Sequence, residues 1–285
     1  MILVTGSTGK VGQQLVSALL KSGSRFQALA RTERSAKELA ALGAPVVTGD
    51  LADAASLRPA LRGVERLFLL SSGVDPFAGE ATAIAAAKAA GVRHVVKLSA
   101  MGAHADATNS FLRGHGRAER LLEDSGMAWT FLRPTFFQQN WVLYHAPAIA
   151  ARQPVYSNTG SARLAWIDTR DIADVAVAAL TTDAHAGRIF DLTGPEALSY
   201  AQVTEQLSRL LGRKVEHVAV GDHAAYQAMV GMGMPADYAF SLTTLNQAVR
   251  RGVAEVPTGT VELVTGKAPR TLDAFLREHL GQFGG

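Results

Sequence analysis

Ile2-Leu3-Val4-Thr5-Gly6-Ser7-Thr8-Gly9-Lys10-Val11-Gly12 opens the chain, and its reading decides the fold. A short apolar strand runs into three glycines spaced three apart, after which Val11, Leu15, Val16, Leu19 and Leu20 repeat at helical spacing. Gly6 permits a tight turn, Gly9 lets the backbone come close to a bound group, and Gly12 allows helix to pack closely on strand. The first amides of a helix have no intrahelical partner and carry the positive end of its dipole, so a strand, glycine turn and helix in this order suit a phosphate. The spacing is Gly-x-x-Gly-x-x-Gly rather than Gly-x-Gly-x-x-Gly, which points to a subset of dinucleotide-binding folds.

Outward from this turn, short apolar runs alternate with helical patterns as far as Arg133, the mark of repeated βα units. Six strands are predicted: Ile2 to Thr5, Phe26 to Arg31, Pro45 to Thr48, Arg66 to Ser71, His94 to Ser99 and Trp129 to Arg133. Leu67-Phe68-Leu69-Leu70 and Val95-Val96 lack polar alternation, as strands covered on both faces do, so the sheet is expected to be parallel. Leu112, Ala118, Leu121 and Leu122 anchor a later helix. Right-handed crossovers suggest strand order 3-2-1-4-5-6. The expected architecture is α/β, a Rossmann-type doubly wound parallel sheet (1–150) with a smaller, mainly helical C-terminal substrate lobe (151–285), parts of which return to the sheet. Within that second part Asn140 to Ala151 reads as helix and Gln153 to Gly160 as turn or loop. Asp171 to Leu180, Ser199 to Leu211 and His223 to Met232 read as helices.

Of the 285 residues 48% are hydrophobic and 19% charged, with no apolar run near the roughly 20 residues that cross a bilayer, so no membrane span is expected. The apolar run at Ile2 leaves no room for a secretory leader, and cysteine is absent, which together predict a cytoplasmic protein without disulfides or thiolate chemistry. The formal charge of +3 is spread along the chain, so no nucleic-acid partner is expected.

The second strand ends at Arg31, where an NAD site would place a carboxylate against the ribose hydroxyls. A guanidinium offers forked donors to a 2′-phosphate, so NADP(H) is favoured over NAD(H), with Lys10 and Arg34 as further nearby charges.

With these residues in place the chain resembles the atypical short-chain dehydrogenases, specifically the NmrA-like group with bacterial NAD(P)H:quinone oxidoreductases and triphenylmethane dye reductases. The likeness rests on residues 5–12, Arg31, Gly49-Asp50-Leu51, Ala87-Lys88-Ala89-Ala90-Gly91-Val92, Glu119, Ser125-Gly126, Thr130-Phe131-Leu132-Arg133-Pro134, Asn140 and Thr265 to Leu272. It implies that the turn residues Gly6, Ser7, Thr8, Gly9, Lys10, Val11 and Gly12 hold the cofactor with Arg31. It further implies that Asp50 and Leu51 border the adenine, that Ser71, Ser72 and Gly73 flank ribose and pyrophosphate, and that Ser99 lies near the nicotinamide. Pro134 to Phe137 completes that pocket.

The chain departs from ordinary short-chain dehydrogenases in lacking Tyr-x-x-x-Lys, whose lysine lowers the tyrosine pKa for acid and base work. Phe111 and His115 take those positions, and no lysine lies between Lys97 and Lys214. Alcohol oxidation and epimerisation therefore lose support. What remains is NADPH-dependent hydride delivery to a quinone or similar conjugated acceptor, a small-molecule substrate for which positioning does most of the work. His115, with an unperturbed pKa near 6.5, is the candidate proton or hydrogen-bond donor to the developing oxyanion. The alternative is a non-catalytic NADP(H)-binding redox sensor of the NmrA type, acting on a protein partner. His104 and Asp106 read as a polar loop, no metal site is expected, and Met229, Met232, Met234, Tyr238 and Phe240 read as core packing rather than a pocket.

Overall fold

Each crossover delivers the chain back to the same end of the sheet. The structure, a computed structural model, describes residues 1–71 and 73–285. In chain order it contains β1 (Ile2–Val4), α1 (Lys10–Lys21), β2 (Phe26–Ala30), α2 (Glu33–Ala41), β3 (Val46–Thr48), α3 (Ala54–Ala60), β4 (Arg66–Leu69), α4 (Phe77–Ala89), β5 (His94–Leu98), α5 (Ser110–Glu123) and β6 (Ala128–Pro134). These are followed by a π-helical turn (Trp141–His145), α6 (Ala146–Ala150), β7 (Val155–Ser157), α7 (Thr169–Thr181), β8 (Arg188–Leu192), α8 (Tyr200–Leu211) and β9 (His217–Ala219). The last elements are α9 (Asp222–Gly231), α10 (Ala236–Arg250), α11 (Thr260–Thr265), α12 (Leu272–Glu278) and a 3-10 turn. No described helix is long and apolar enough to cross a membrane.

The chain divides into two units. The first comprises Met1–Pro134, Thr169–Asp191 and Leu263–Gly266, and the second the remainder. The break falls after Pro134 rather than at residue 150, because β6 ends there.

In the first unit the sheet order is β3-β2-β1-β4-β5-β6-β8, with parallel registers from β3 to β6. The six expected strands are all present, each within two residues of its reading. The seventh, β8, was not anticipated: Arg188 and Asp191 interrupt its apolar character, as an edge position with much exposed surface permits. Helices cover both faces, α1 packing with α7 and α4 packing with α3 and α5. Leu20 and Leu121, read into the buried stripes of α1 and α5, lie at their margins and are exposed.

The second unit has its own core of Trp141, Trp166, Phe275 and Phe283. Three readings fail there. Val155 and Ser157 are buried and Tyr156 is exposed, a period-two pattern that makes β7 where turn or loop was expected, with Pro154 and Gly160 only framing it. The expected helix Asn140 to Ala151 is broken into the π-turn and α6, because Pro147 has no N–H to donate to the carbonyl of Leu143. The sequence also gave no sign of α10, whose buried positions include Ser241 and Thr243 as well as Ala239 and Val249. Met232 and Phe240 are 78% and 63% exposed, which overturns their reading as core.

Candidate functional site

The glycine turn closes on itself. Gly6 adopts φ 61°, in the left-handed region, and accepts a hydrogen bond from the Gly9 amide at 2.9 Å. A Cβ on Gly12 would stand 2.1 Å from the Gly6 carbonyl oxygen, so the start of α1 sits where only glycine fits. Ser7 Oγ donates to Val4 O at 2.7 Å, and Thr5 Oγ1 accepts from the Leu70 amide at 2.8 Å, tying the turn to both β1 and the end of β4. Gly9 caps α1 without a side-chain hydrogen bond, so no side chain of the cap competes for the helix's first amides. Lys10, in the first turn of α1, is half-buried, and burial lowers its pKa.

Parallel register brings the other candidates to the same edge. Val4 stands opposite Ala28 and Phe68, Ala30 opposite Thr48, Leu69 opposite Lys97, and Leu98 opposite Leu132. Gly6, Arg31, Asp50, Ser71 and Ser99 therefore follow the carboxyl ends of their strands and Pro134 ends β6, along the row where open α/β sheets bind ligands. Strand order reverses between β1 and β4, beside the glycine turn. Arg31 is exposed, whereas Arg34 is engaged by Glu38 at 2.9 Å. Asp50 caps its own turn through the Ala52 amide, and Leu51 packs on the core beneath it. Gly73 has φ 127° with open space where a side chain would project, and Ser72 lies outside the described residues. The Pro134 carbonyl accepts from the Met101 amide at 3.0 Å. Phe137 belongs to the second unit, where it bridges to Ile167.

Ser99 Oγ is buried and has no hydrogen-bond partner. A buried hydroxyl left unpaired is costly, and a ligand group at the strand ends would satisfy it. Together with the opening amides of α1, which no cap side chain engages, this hydroxyl makes the residues present fit a dinucleotide.

Behind that edge is a group of side chains that the sequence reading did not assemble. Lys97, in the centre of the sheet and fully buried, places Nζ 2.7 Å from Glu80 Oε2, 2.8 Å from His115 Nδ1 and 3.2 Å from Leu98 O. The Glu80 contact is off the line of a well-aligned hydrogen bond, but ionic attraction is not directional and the pair stands. Ser71 Oγ donates to Glu80 Oε1 at 3.0 Å. Burial pushes the Glu80 carboxyl up, with the Lys97 charge and the Ser71 hydroxyl opposing it. Burial and the Lys97 charge hold His115 well below its ordinary value. This shift works against His115 as a proton donor, the role that its unperturbed value near 6.5 suggested, and leaves it the role of a hydrogen-bond donor. Phe111, in the position of the missing tyrosine, packs edge-on against it at 4.5 Å. The signal that could have revealed the group is Lys97 itself, a charge inside the run His94-Val95-Val96-Lys97-Leu98, which must be paired if both faces are covered.

Elsewhere in the first unit, Glu119 accepts two hydrogen bonds from the Arg133 guanidinium, tying α5 to β6. The Asp106 amide donates to His104 Nδ1 at 3.2 Å, as a polar loop requires. No cluster of three metal-ligating side chains occurs among the described residues.

The sequence profile of the NmrA-like family matches residues 1–276. The chain is 40% identical over 285 residues to an NAD(P)H azoreductase of Xenophilus azovorans, covering 100% of this chain and 99% of that protein. It is 30% identical over 277 residues to quinone oxidoreductase 2 of Escherichia coli (strain K12), covering 95% and 96% of the two. The structure of an Escherichia coli NADPH-dependent quinone oxidoreductase complexed with NADPH matches with a TM-score of 0.89 and 28% identity, over 99% of this chain and 100% of that one.

Proposed function

The chain belongs to the NmrA-like family, and from that premise we propose that it is an NADPH-dependent reductase whose acceptor is a quinone or a similarly conjugated molecule. Full-length relatives named NAD(P)H azoreductase and quinone oxidoreductase 2 make it an NAD(P)H-dependent oxidoreductase. The choice of NADPH and of acceptor is our reading, and one observation supports it: the glycine turn after β1 and Arg31 after β2 follow the same end of two paired parallel strands.

Bound NADPH supplies a hydride from its nicotinamide ring. The amides that open α1 bind the diphosphate, and the exposed Arg31 guanidinium pairs with the 2′-phosphate. Asp50 and Leu51 border the adenine, Ser71 and Gly73 the ribose, and Ser99 and Pro134 the nicotinamide end. His115 offers a hydrogen bond from Nε2 to an acceptor oxygen as negative charge develops on it. Azo compounds are a natural extension of the panel, since the Xenophilus azovorans relative is named for them.

The test is NADPH and NADH oxidation over quinones, azo dyes and triphenylmethane dyes, paired with thermal shifts in each nucleotide. A ligand at a hundred times its Kd stabilises by about 2.7 kcal/mol, which a melting curve detects. Turnover with NADPH exceeding that with NADH is the expected outcome. A larger shift with NADH overturns the Arg31 assignment, and a shift with NADPH without turnover of any acceptor returns the sensor reading.

A further inference from the structure

The buried group at β5 contains more than charge balance requires. Every residue of His94–Leu98 is buried, and at such a position an apolar side chain of similar volume is ordinarily as stabilising as an ion pair, or more so. Glu80 alone neutralises Lys97. The third element, His115 from α5, adds nothing to the charge balance, yet its ring is held 2.8 Å from Nζ. Three chain segments, α4, β5 and α5, thus converge on one ammonium.

We propose that Lys97 is a positioning residue for His115: its ammonium occupies Nδ1 and pins the imidazole as the Nε2–H tautomer, a hydrogen-bond donor aimed at a substrate oxygen. An ammonium carries three N–H groups and accepts nothing, and three acceptors surround Nζ. Leu98 O takes one of those hydrogens, the Glu80 carboxylate is held by charge, and another hydrogen points to His115 Nδ1. A nitrogen that accepts cannot carry hydrogen, so the ring's hydrogen is on Nε2. The arrangement parallels metal sites, where a partner on one ring nitrogen fixes what the other presents. The same surroundings disfavour the imidazolium form, because an added positive charge on the ring would lie beside the Lys97 ammonium in a buried site, where charges are screened weakly. His115 is thereby a donor that does not titrate, and the proton that completes quinone reduction comes from elsewhere.

The donor role rests on the reductase reading, whereas the tautomer does not, so the decisive experiment needs no turnover. In the uniformly 15N-labelled full-length protein at pH 7, long-range proton–nitrogen correlation reads both ring nitrogens of each histidine, and the signals lost in His115→Gln identify this one. An Nε2–H pattern is expected. An Nδ1–H pattern, which a neutral Lys97 amine accepting from the ring would give, overturns the proposal, as does an imidazolium pattern. The Lys97→Met, Glu80→Gln double variant removes both buried charges together. In it the tautomers are expected to mix, and kcat with NADPH and a quinone to fall about 10-fold or more while KM for NADPH is little changed, the usual scale for losing an orienting partner. A tautomer still fixed as Nε2–H, or kcat unchanged after it relaxes, overturns the role given to Lys97. If the double variant does not fold, the measurement on the unaltered protein decides alone. Absence of turnover in the unaltered protein removes the reductase reading and leaves the tautomer result standing.

Discussion

At the end of β1 the groups offered to a ligand are backbone amides, set in place by Gly6 at φ 61° and by Gly12 lying against the Gly6 carbonyl. Near the end of β5 the polar groups are side chains, drawn from Ser71, Glu80, Lys97 and His115 and sealed from solvent except at the Ser71 end. The first arrangement gains from removing side chains and the second from burying charged ones. The turn's polarity is fixed by covalent geometry and survives changes of pH, while the cluster depends on where a few protons sit. The two regions should consequently fail differently: the turn chiefly by losing ligand, and the cluster chiefly by losing fold.

The largest expected effect is on the cluster. Glu80→Ala leaves the Lys97 ammonium buried and unpaired and should cost about 3–5 kcal/mol in urea unfolding. A cost near zero would mean that Lys97 is not charged there, and the contrast with the turn would dissolve.

Next is pH. His94 Nδ1 accepts from Arg66 and its Nε2 donates to Thr130, whose own hydrogen goes to His185 O, so protonation would break the Arg66 contact. Burial, then Arg66, pulls this histidine down to about 4. The unfolded chain takes up the proton near 6.5 and the folded chain does not, so the stabilisation is complete above about pH 6.5 and is lost as pH falls toward about 4. It amounts to at most about 3 kcal/mol, and the decline should flatten in His94→Gln. Calorimetry with NADH, which lacks the 2′-phosphate that itself titrates at about pH 6, should show no matching pH dependence for contacts made by backbone amides.

In the turn itself, Gly12→Ala forces a Cβ against the Gly6 carbonyl and should weaken NADPH binding on the order of 100-fold, the scale of an ångström-sized misplacement. Because the clash is with backbone, its melting temperature without nucleotide should fall too, though by less than that of Glu80→Ala. Smaller again, Arg31→Glu should lower the NADPH over NADH preference by about 10-fold or more, as for a lost charged hydrogen bond. The engaged Arg34 serves as its control: Arg34→Ala should change affinity by no more than about 2-fold, as an exposed pair predicts.

These two regions also differ in how far the residues disclosed them. The turn is contiguous, and glycine spacing between a strand and a helix is itself its geometry, so it could be read directly. The cluster joins residues 71, 80, 97 and 115, and no spacing rule brings them together before the sheet forms. Only the lysine amid apolar neighbours hinted at it. The six parallel strands were legible because their apolar runs alternate with helical patterns, whereas β8 has exposed and charged positions and β7 lies beyond that alternation, between Pro154 and Gly160. Arg31 and Ser99 were correctly placed at strand ends, but that the Ser99 hydroxyl lacks a partner depends on the atoms around it and could come only from coordinates.

The order of the sheet has one more consequence, for how molecules of this protein behave when crowded. An open sheet invites another chain to add a strand at either margin. Here one margin is β3, only three residues long, and the other is β8, where Arg188 and Asp191 place opposite charges on a largely exposed strand. Neither margin presents a long, flat apolar ribbon, so the arrangement that positions the strand ends also discourages one copy from extending the sheet of the next.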